Sequence, residues 1–266
     1  MQVVKAYPDG LFSWVDLATS DLDGAKAFYG SLFGWEAEDV PVGDGSVYVM
    51  FRIEGHNVAG AGELDAERKA QGVPPHWASY INHSDVDTIA GRAAGAGGQV
   101  LFPPMDVLED GRMTMIQDPA GAIFGVWQPR NHIGAQLVNR PGALVWNELQ
   151  TRDLEAAKAF YTDVFGWEPR VDAQGYVACY QEGRAHAGMM AMDDEWDENI
   201  PPNWAVYFMV DDIEETADRV KQLGGTIIVP PTTAGELGKF AVIQDPQGGV
   251  FTAMEFQGPV APPPGY

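Results

Sequence analysis

Several common features are absent from this sequence. It has one cysteine, Cys179, so no disulfide can form within the chain. No apolar run approaches the ~20 residues that a membrane-spanning helix needs. The first residues lack both the apolar stretch of a secretory signal and a twin arginine. These absences predict a cytoplasmic protein that does not enter a membrane.

Positive charge is also scarce. The chain has 16 Lys and Arg residues against 38 Asp and Glu residues, which gives a formal net charge of -22. Such a surface repels phosphate backbones and anionic lipid headgroups, so neither nucleic acid nor a membrane surface is expected as a partner. The glycine-rich dinucleotide fingerprint, the P-loop and the G-x-S-x-G elbow are missing as well, which argues against a dinucleotide enzyme, a nucleoside triphosphatase and a triad hydrolase.

The clearest positive feature is an internal repeat. The segment from Trp14 to Trp35, WVDLATSDLDGAKAFYGSLFGW, recurs from Trp146 to Trp167 as WNELQTRDLEAAKAFYTDVFGW, at a constant offset of 132. PPHWASYI at Pro74 recurs as PPNWAVYF, and the D-P-x-G turn at Asp118 also recurs, both at an offset of 127. Because the period is too long for a solenoid, each copy is expected to be a domain. The predicted domains are residues 1–135 and residues 136–266, the second with a proline-rich C-terminal tail.

Each copy contains the same order of elements twice. A short strand precedes a helix with apolar residues at helical spacing, and three strands follow. Ser20 with Asp23, and Ser84 with Asp87, have the pattern of residues that cap helix N-termini. The pattern predicts an α+β fold of four tandem βαβββ units, with curved, mostly antiparallel sheets and helices packed outside them.

This arrangement resembles the vicinal oxygen chelate superfamily, which includes glyoxalase I, bleomycin-resistance proteins and extradiol dioxygenases. The resemblance is carried by A-x-x-F-Y-x-x-x-F-G-W, at Ala25 and again at Ala157, and by the D-P-x-G turns at Asp118 and Asp245. The resemblance covers nearly the whole chain. Within the superfamily, the chain is most similar to duplicated bacterial glyoxalase-like proteins, which are often described as hydroxylases. It implies that paired units curl into a cup that holds a small-molecule ligand.

The resemblance also implies where a metal would be held, namely by His or Glu on the first and last strands of each unit. The matching positions carry no such residue; they are Trp14, Ala78, Trp146, Ala205, Gly125 and Thr252. Glu148 with His186 is the best nearby pair, but two ligands are too few for a transition-metal site. No cofactor is therefore expected, with a divalent metal ion at Glu148 and His186 as the alternative.

Aromatic and ionisable residues at repeated positions are the candidates for ligand contact. Four tryptophans open strands and either line the cups or pack in the core: Trp14, Trp77, Trp146 and Trp204. Asp16 and Glu148 lie two residues after a tryptophan and so share its face of the strand. Each is either solvated or a catalytic base with a raised pKa.

Four further residues complete the predicted site. Tyr48 and Tyr207 could donate hydroxyl groups into a cup. Arg112 and Lys239 occupy matching positions at strand starts. They either neutralise the two carboxylates, hold an anionic substrate, or lie solvated at the rim.

Three functions are compatible with these residues. The first is a metal-independent binding protein or enzyme that acts on a small carbonyl or aromatic metabolite in an aromatic-lined cup. The second is a metal-dependent lyase, isomerase or dioxygenase like glyoxalase I. The third is a resistance protein that sequesters a drug without catalysis. The pattern leaves open whether the chain is an enzyme, with glyoxalase, dioxygenase or hydroxylase activity as the possibilities, and whether it is a monomer or a homodimer.

Overall fold

The chain folds as four βαβββ units in tandem. The computed structural model describes residues 2–43, 45–258 and 260–264. Its elements, in chain order, are β1 (Phe12–Thr19), α1 (Leu22–Phe33), β2 (Glu36–Gly43), β3 (Ser46–Ile53), β4 (His56–Glu63), α2 (Ala66–Ala70), β5 (His76–Asn82), α3 (Val86–Gly95), β6 (Gln99–Val107), β7 (Gly111–Gln117), β8 (Ile123–Pro129), β9 (Leu144–Thr151), α4 (Leu154–Phe165), β10 (Glu168–Val171), β11 (Val177–Gln181), β12 (Arg184–Ala191), β13 (Asn203–Met209), α5 (Ile213–Gln222), β14 (Thr226–Ala234), β15 (Gly238–Gln244) and β16 (Val250–Phe256).

Two units form each sheet. The first half has the strand order β2-β3-β4-β1-β5-β8-β7-β6, and the second half repeats it as β10-β11-β12-β9-β13-β16-β15-β14. The first strand of each unit pairs in parallel with the last strand of the same unit, and the other pairings are antiparallel. The predicted fold class is confirmed.

The helices begin at aspartates. The side chain of Asp21 accepts a hydrogen bond from the third residue after it, and Asp85, Asp153 and Asp212 cap their helices in the same way. The sequence prediction had assigned the caps to Ser20 and Ser84, one residue too early. Asp is the better acceptor for the free amides of a first turn, and its charge complements the helix dipole.

The two halves share their cores. Phe28 and Tyr29 of α1 pack in one cluster with Phe208 and Phe251 of the second half. The repeat of this arrangement places α4 of the second half against Phe124 of the first half. The helix-facing side of each sheet is therefore completed by a helix from the other half.

Two buried hydrogen bonds join the halves within these cores. The Tyr29 hydroxyl donates to Oδ2 of Asp245 at 2.8 Å, and the Tyr161 hydroxyl donates to Oδ2 of Asp118 at 3.1 Å. Each tyrosine also accepts a hydrogen bond from an indole, that of Trp77 or Trp204. The repeated helix motif and the repeated D-P-x-G turn thus meet across the boundary between the halves.

Residues 130–143 connect the two sheets. The boundary predicted between residues 135 and 136 falls inside this segment and stays a prediction. Within the described part of the chain, no helix combines the length and the apolar character needed to cross a bilayer.

Replacement of Tyr29 by Phe tests the bonds between the halves. Tyr29→Phe leaves the buried Asp245 carboxylate and the Trp77 indole each without one partner, so the free energy of unfolding should fall by about 1–3 kcal/mol. Tyr161→Phe should have a similar effect, and the two losses should add because they lie in separate cores. Urea unfolding followed by circular dichroism measures both.

Tyr180→Phe is the matched control, because Tyr180 lies half-buried beneath the Arg170 guanidinium and no hydrogen bond from its hydroxyl to a described residue is seen. If Tyr29→Phe were no less stable than Tyr180→Phe, these bonds would not hold the halves together.

Candidate functional site

Each sheet has one face turned away from the helices, and we call this face its cup. Strand alternation decides which side chains reach it. In β1, Val15 and Leu17 are fully buried in the shared core, whereas Asp16 and Ala18 lie half-buried on the opposite face. In β5, Ala78 pairs with Asp16 and Tyr80 pairs with Trp14, so Ala78 and Tyr80 face the same cup as Trp14 and Asp16.

A cluster of four polar groups occupies the first cup. The Trp14 indole N–H donates to the Tyr48 hydroxyl at 2.9 Å, and the Tyr48 hydroxyl donates to Oδ2 of Asp16 at 3.3 Å. The Tyr80 hydroxyl approaches the same carboxylate oxygen at 3.2 Å. One carboxylate therefore receives hydrogen bonds from two tyrosines, and the four residues of the cluster come from three strands of two units.

Glycines make room for these tyrosines. A Cβ placed on Gly60 of β4 would overlap the Tyr48 hydroxyl, and one on Gly125 of β8 would overlap the Tyr80 ring. Both tyrosines therefore lie flat across the strand that ends each unit. The absence of a side chain on these strands is what lets the rings reach Asp16.

The second cup repeats the cluster. The Trp146 indole donates to the Tyr176 hydroxyl at 3.0 Å, and the Tyr207 hydroxyl donates to Oε1 of Glu148 at 2.7 Å. The Tyr176 hydroxyl is also close enough to the Glu148 carboxylate to lower the pKa of that group. A Cβ on Gly188 would overlap the Tyr176 hydroxyl, as at Gly60.

Burial raises the pKa of both carboxyl groups. The pKa of Asp16 is raised to about 6 by loss of solvent, and the hydrogen bonds from Tyr80 and Tyr48 oppose this rise. Loss of solvent also raises the pKa of Glu148, against the hydrogen bond from Tyr207. The pKa of each of the four tyrosines is raised, first by burial and then by the nearby carboxylate. The tyrosines therefore stay protonated donors at neutral pH.

The walls of the two cups differ. Methionines line the first cup, with Met50 on β3 and Met113 and Met115 on β7 half-buried around the cluster. At its rim, Phe102 and Met105 of β6 pair with these β7 residues and are about half exposed. The second cup has Phe240 and Val242 at the positions of Met113 and Met115. The polar cluster is common to both cups, whereas the apolar surface around it is not.

Six of the predicted residues meet in these clusters. They are Trp14, Asp16, Tyr48, Trp146, Glu148 and Tyr207. The prediction that Trp77 and Trp204 line the cups is wrong, because each lies in a shared core and donates to a helix tyrosine. Trp77 precedes Ala78 by one residue, and a shift of one residue moves a side chain to the other face of a strand.

Arg112 and Lys239 do not reach the carboxylates of the cups. Arg112 forms ion pairs with Asp87 at the start of α3 and with Asp106 of β6. Lys239 lies 3.4 Å from Glu214 at the start of α5. Both cations are therefore on the helix side of their sheets, which corrects the expectation that they neutralise Asp16 and Glu148 or hold a substrate.

The residues present do not fit a transition metal. Glu148 faces the second cup, whereas His186 packs between Phe12 and Trp167 on the helix side, so the predicted pair does not share a site. Among the described residues there is no group of three or more His, Cys, Asp or Glu side chains that could hold an ion. One carboxylate and two high-pKa hydroxyls per cup fall short of the usual three or four ligands.

Sequence reasoning missed Tyr80 and Tyr176. Tyr80 corresponds to Tyr207 at the offset of 127 within the PPxWAxY repeat, and Tyr176 corresponds to Tyr48 at an offset of 128. A search for polar residues at repeated positions would have found both pairs.

Comparison with known proteins agrees with this architecture. The model of the Glyoxalase/Bleomycin resistance protein/Dioxygenase superfamily matches residues 11–126 and residues 141–252. CFP32 of Mycobacterium tuberculosis, provisionally named a glyoxylase, is 40% identical over 94% of this chain and 96% of its own. The anthracycline biosynthesis protein DnrV of Streptomyces peucetius is 31% identical over 94% of this chain and 95% of its own.

Solved structures show the same fold at low sequence identity. The Mn(II)-bound glyoxalase from Novosphingobium aromaticivorans has a TM-score of 0.64 at 20% identity, covering 94% of this chain and 83% of its own. The 2,3-dioxygenase LapB from Pseudomonas sp. KL28 has a TM-score of 0.65 at 14% identity, covering 97% of this chain and 96% of its own.

The raised pKa of Asp16 predicts a pH-dependent stability. In the folded protein Asp16 holds its proton up to about pH 6, whereas in the unfolded chain it loses it near 3.8. The wild type therefore loses stability relative to Asp16→Asn as the pH rises from about 4 to about 6. Because Asp16 is partly exposed, we expect the difference to grow by about 1–3 kcal/mol over this window and then level off.

Urea unfolding at a series of pH values measures the difference, with the exposed Asp194→Asn as the control. A gap between wild type and Asp16→Asn that stays constant with pH would show that Asp16 titrates normally.

Proposed function

Because the chain belongs to the Glyoxalase/Bleomycin resistance protein/Dioxygenase superfamily, we propose that it acts on a small carbonyl-bearing or aromatic compound by metal-independent proton transfer in its cups. The observation that supports this most directly is the carboxylate–tyrosine cluster present at the same place in both cups. Burying a carboxylate is costly unless it is paired or used, and this carboxylate is kept in both cups.

The cluster contains the groups that proton abstraction beside a carbonyl requires. The Asp16 carboxylate takes a proton from the carbon next to the carbonyl; the C–H electron pair forms a carbon–carbon double bond, and the π pair of the carbonyl moves to its oxygen. Tyr48 or Tyr80 turns its hydroxyl from Asp16 to this oxygen and stabilises the developing negative charge. Return of the proton from Asp16 to the substrate completes the cycle.

The pKa of Asp16 suits this role. A catalytic base works best when its pKa lies near the working pH, since it is then both deprotonated and basic. A value of about 6 meets both conditions. The Trp14 indole N–H donates to the Tyr48 oxygen, which keeps the Tyr48 hydroxyl directed toward the centre of the cup.

The walls of the first cup favour a flat apolar substrate. Met50, Met113 and Met115 offer polarisable side chains that adapt to aromatic faces. The relatives named for anthracycline biosynthesis are consistent with this class, since anthracyclines are polycyclic aromatic compounds.

A second candidate is sequestration without catalysis. The exposed Phe102 and Met105 at the rim of the first cup favour it, because they widen the apolar surface without adding a chemical group. In that case the carboxylate and tyrosines would serve only to hydrogen-bond the ligand.

Hydrogen–deuterium exchange on a neutral aromatic ketone tests the proposal. We expect the wild type to accelerate exchange at C1 of 2-tetralone in D₂O, followed by proton NMR. The double variant Asp16→Asn/Glu148→Gln, which keeps the side-chain shapes, should lose at least about a hundredfold of this acceleration. Tyr48→Phe should lose less, because Tyr80 remains. The rate should rise with pH through about 6 as Asp16 becomes deprotonated.

Asp194→Asn and Tyr180→Phe are the matched controls and should exchange at the wild-type rate. Binding of 2-tetralone with no acceleration would favour sequestration. A transition metal at near-stoichiometric amount, with exchange abolished by a chelator, would overturn the metal-independent mechanism.

A further inference from the structure

A cavity of about 260 Å³ lies where the two halves and the C-terminal tail meet. Its walls come from the N-terminal segment, the beginnings of β9 and β12, the end of β16, and tail residues 260–264. The residues that matter below are Tyr7, Leu144, Trp146, Arg184, His186 and Phe256. Neither Glu148 nor its two tyrosines line the cavity, so it is separate from the carboxylate cluster of the second cup.

The corresponding place in the first half is filled by the chain itself. The segment after β8 crosses there, and the backbone N–H groups of Ala135 and Gln136 donate to the carbonyls of Ser13 and Asn57. Ahead of them, His132 packs against Trp14 with 4.5 Å between ring centroids. Among the described residues of the second half, a side-chain hydrogen bond from Asn139 to the carbonyl of Ala261 holds the equivalent tail, and the space beneath it is open.

An arginine in the wall of this cavity lacks an acidic partner. Arg184 is half-buried, and no ion pair or hydrogen bond joins its guanidinium to another described residue. This is unusual in a chain with 38 Asp and Glu residues and only 16 Lys and Arg residues. Loss of solvent lowers the pKa of Arg184, because the charged guanidinium gives up part of its hydration at this position.

A histidine beside it is also unsatisfied. Both ring nitrogens of His186 are buried and have no hydrogen-bond partner. Burial lowers the pKa of His186 to about 3, so the ring is neutral and offers one N–H donor. Both nitrogens are shielded from the cavity as well as from water, so Arg184 is the cation that the cavity exposes, in a lining that is otherwise largely apolar.

We propose that this cavity is a second binding site, for an aromatic carboxylate or a similar anion with an apolar body. The anionic group meets the guanidinium of Arg184, and charge-assisted hydrogen bonds satisfy it. The apolar body lies against Leu144, Trp146 and Phe256, with tail residues 260–264 over it. Binding of an anion is unexpected in the cups, because each of them carries a carboxylate.

Calorimetry with 2-naphthoate and its neutral counterpart 2-naphthylmethanol at pH 8 tests the site. Naphthoate should bind the wild type, and Arg184→Gln should weaken it by about tenfold or more, since a hydrogen bond to a charged group is lost. The affinity for naphthylmethanol should change by less than about twofold.

Arg170→Gln is the control, because it removes one positive charge from an exposed arginine of the same half. Asp16→Asn should leave naphthoate binding unchanged, so failure of the cup mechanism and failure of this site give different results. The proposal is overturned if Arg184→Gln and Arg170→Gln bind naphthoate equally, or if the wild type shows no heat of binding at millimolar naphthoate.

Discussion

The fold depends on contact between the two halves, because the helix face of each half is covered by the other half. Tyr29 and Tyr161 carry hydroxyl groups into apolar cores, and each finds its acceptor in the D-P-x-G turn of the opposite half. A buried hydroxyl without an acceptor is costly, so neither half can satisfy its own helix. The halves are therefore bound on their helix sides, and the opposite faces of both sheets stay free for ligands. The two faces of each sheet therefore have different roles. The face toward the helices packs in the shared cores, and the opposite face forms the cup.

The polar clusters recur in both halves, whereas the surroundings of the two cups differ. Trp14, Asp16, Tyr48 and Tyr80 have counterparts in the second half. The indole-to-tyrosine bond and one tyrosine-to-carboxylate bond recur there, whereas the methionine walls do not. The segment after β8 must lead into the second half, so it crosses the first half and is fixed there by backbone hydrogen bonds. Among the described residues, the segment after β16 is held by the bond from Asn139 to Ala261, and a cavity lies beneath it.

Much of the architecture could be predicted from sequence, because repeated motifs report on the fold twice. The four units and the sheets follow from apolar spacing and from the turns at Asp118 and Asp245, whereas the helix caps were placed one residue too early. The site was predicted less well, for reasons of strand register. Trp77 and Trp204 looked equivalent to Trp14, yet they belong to the opposite face of their strands. The sequence suggested that Arg112 and Lys239 lie close to the cups. Their acidic partners on the helices, Asp87 and Glu214, are distant in sequence and so were not recognised.

Charge separates the two kinds of site that we propose. Each cup presents a carboxylate stabilised by neutral donors, which favours a ligand that brings a carbonyl oxygen and no negative charge. The cavity presents the half-buried cation of Arg184, which favours the opposite ligand. Trp146 belongs to both, since its ring lines the cavity and its N–H holds Tyr176 beside Glu148. A ligand in the cavity would therefore lie one side chain away from the carboxylate of the second cup, with the indole between the two charges.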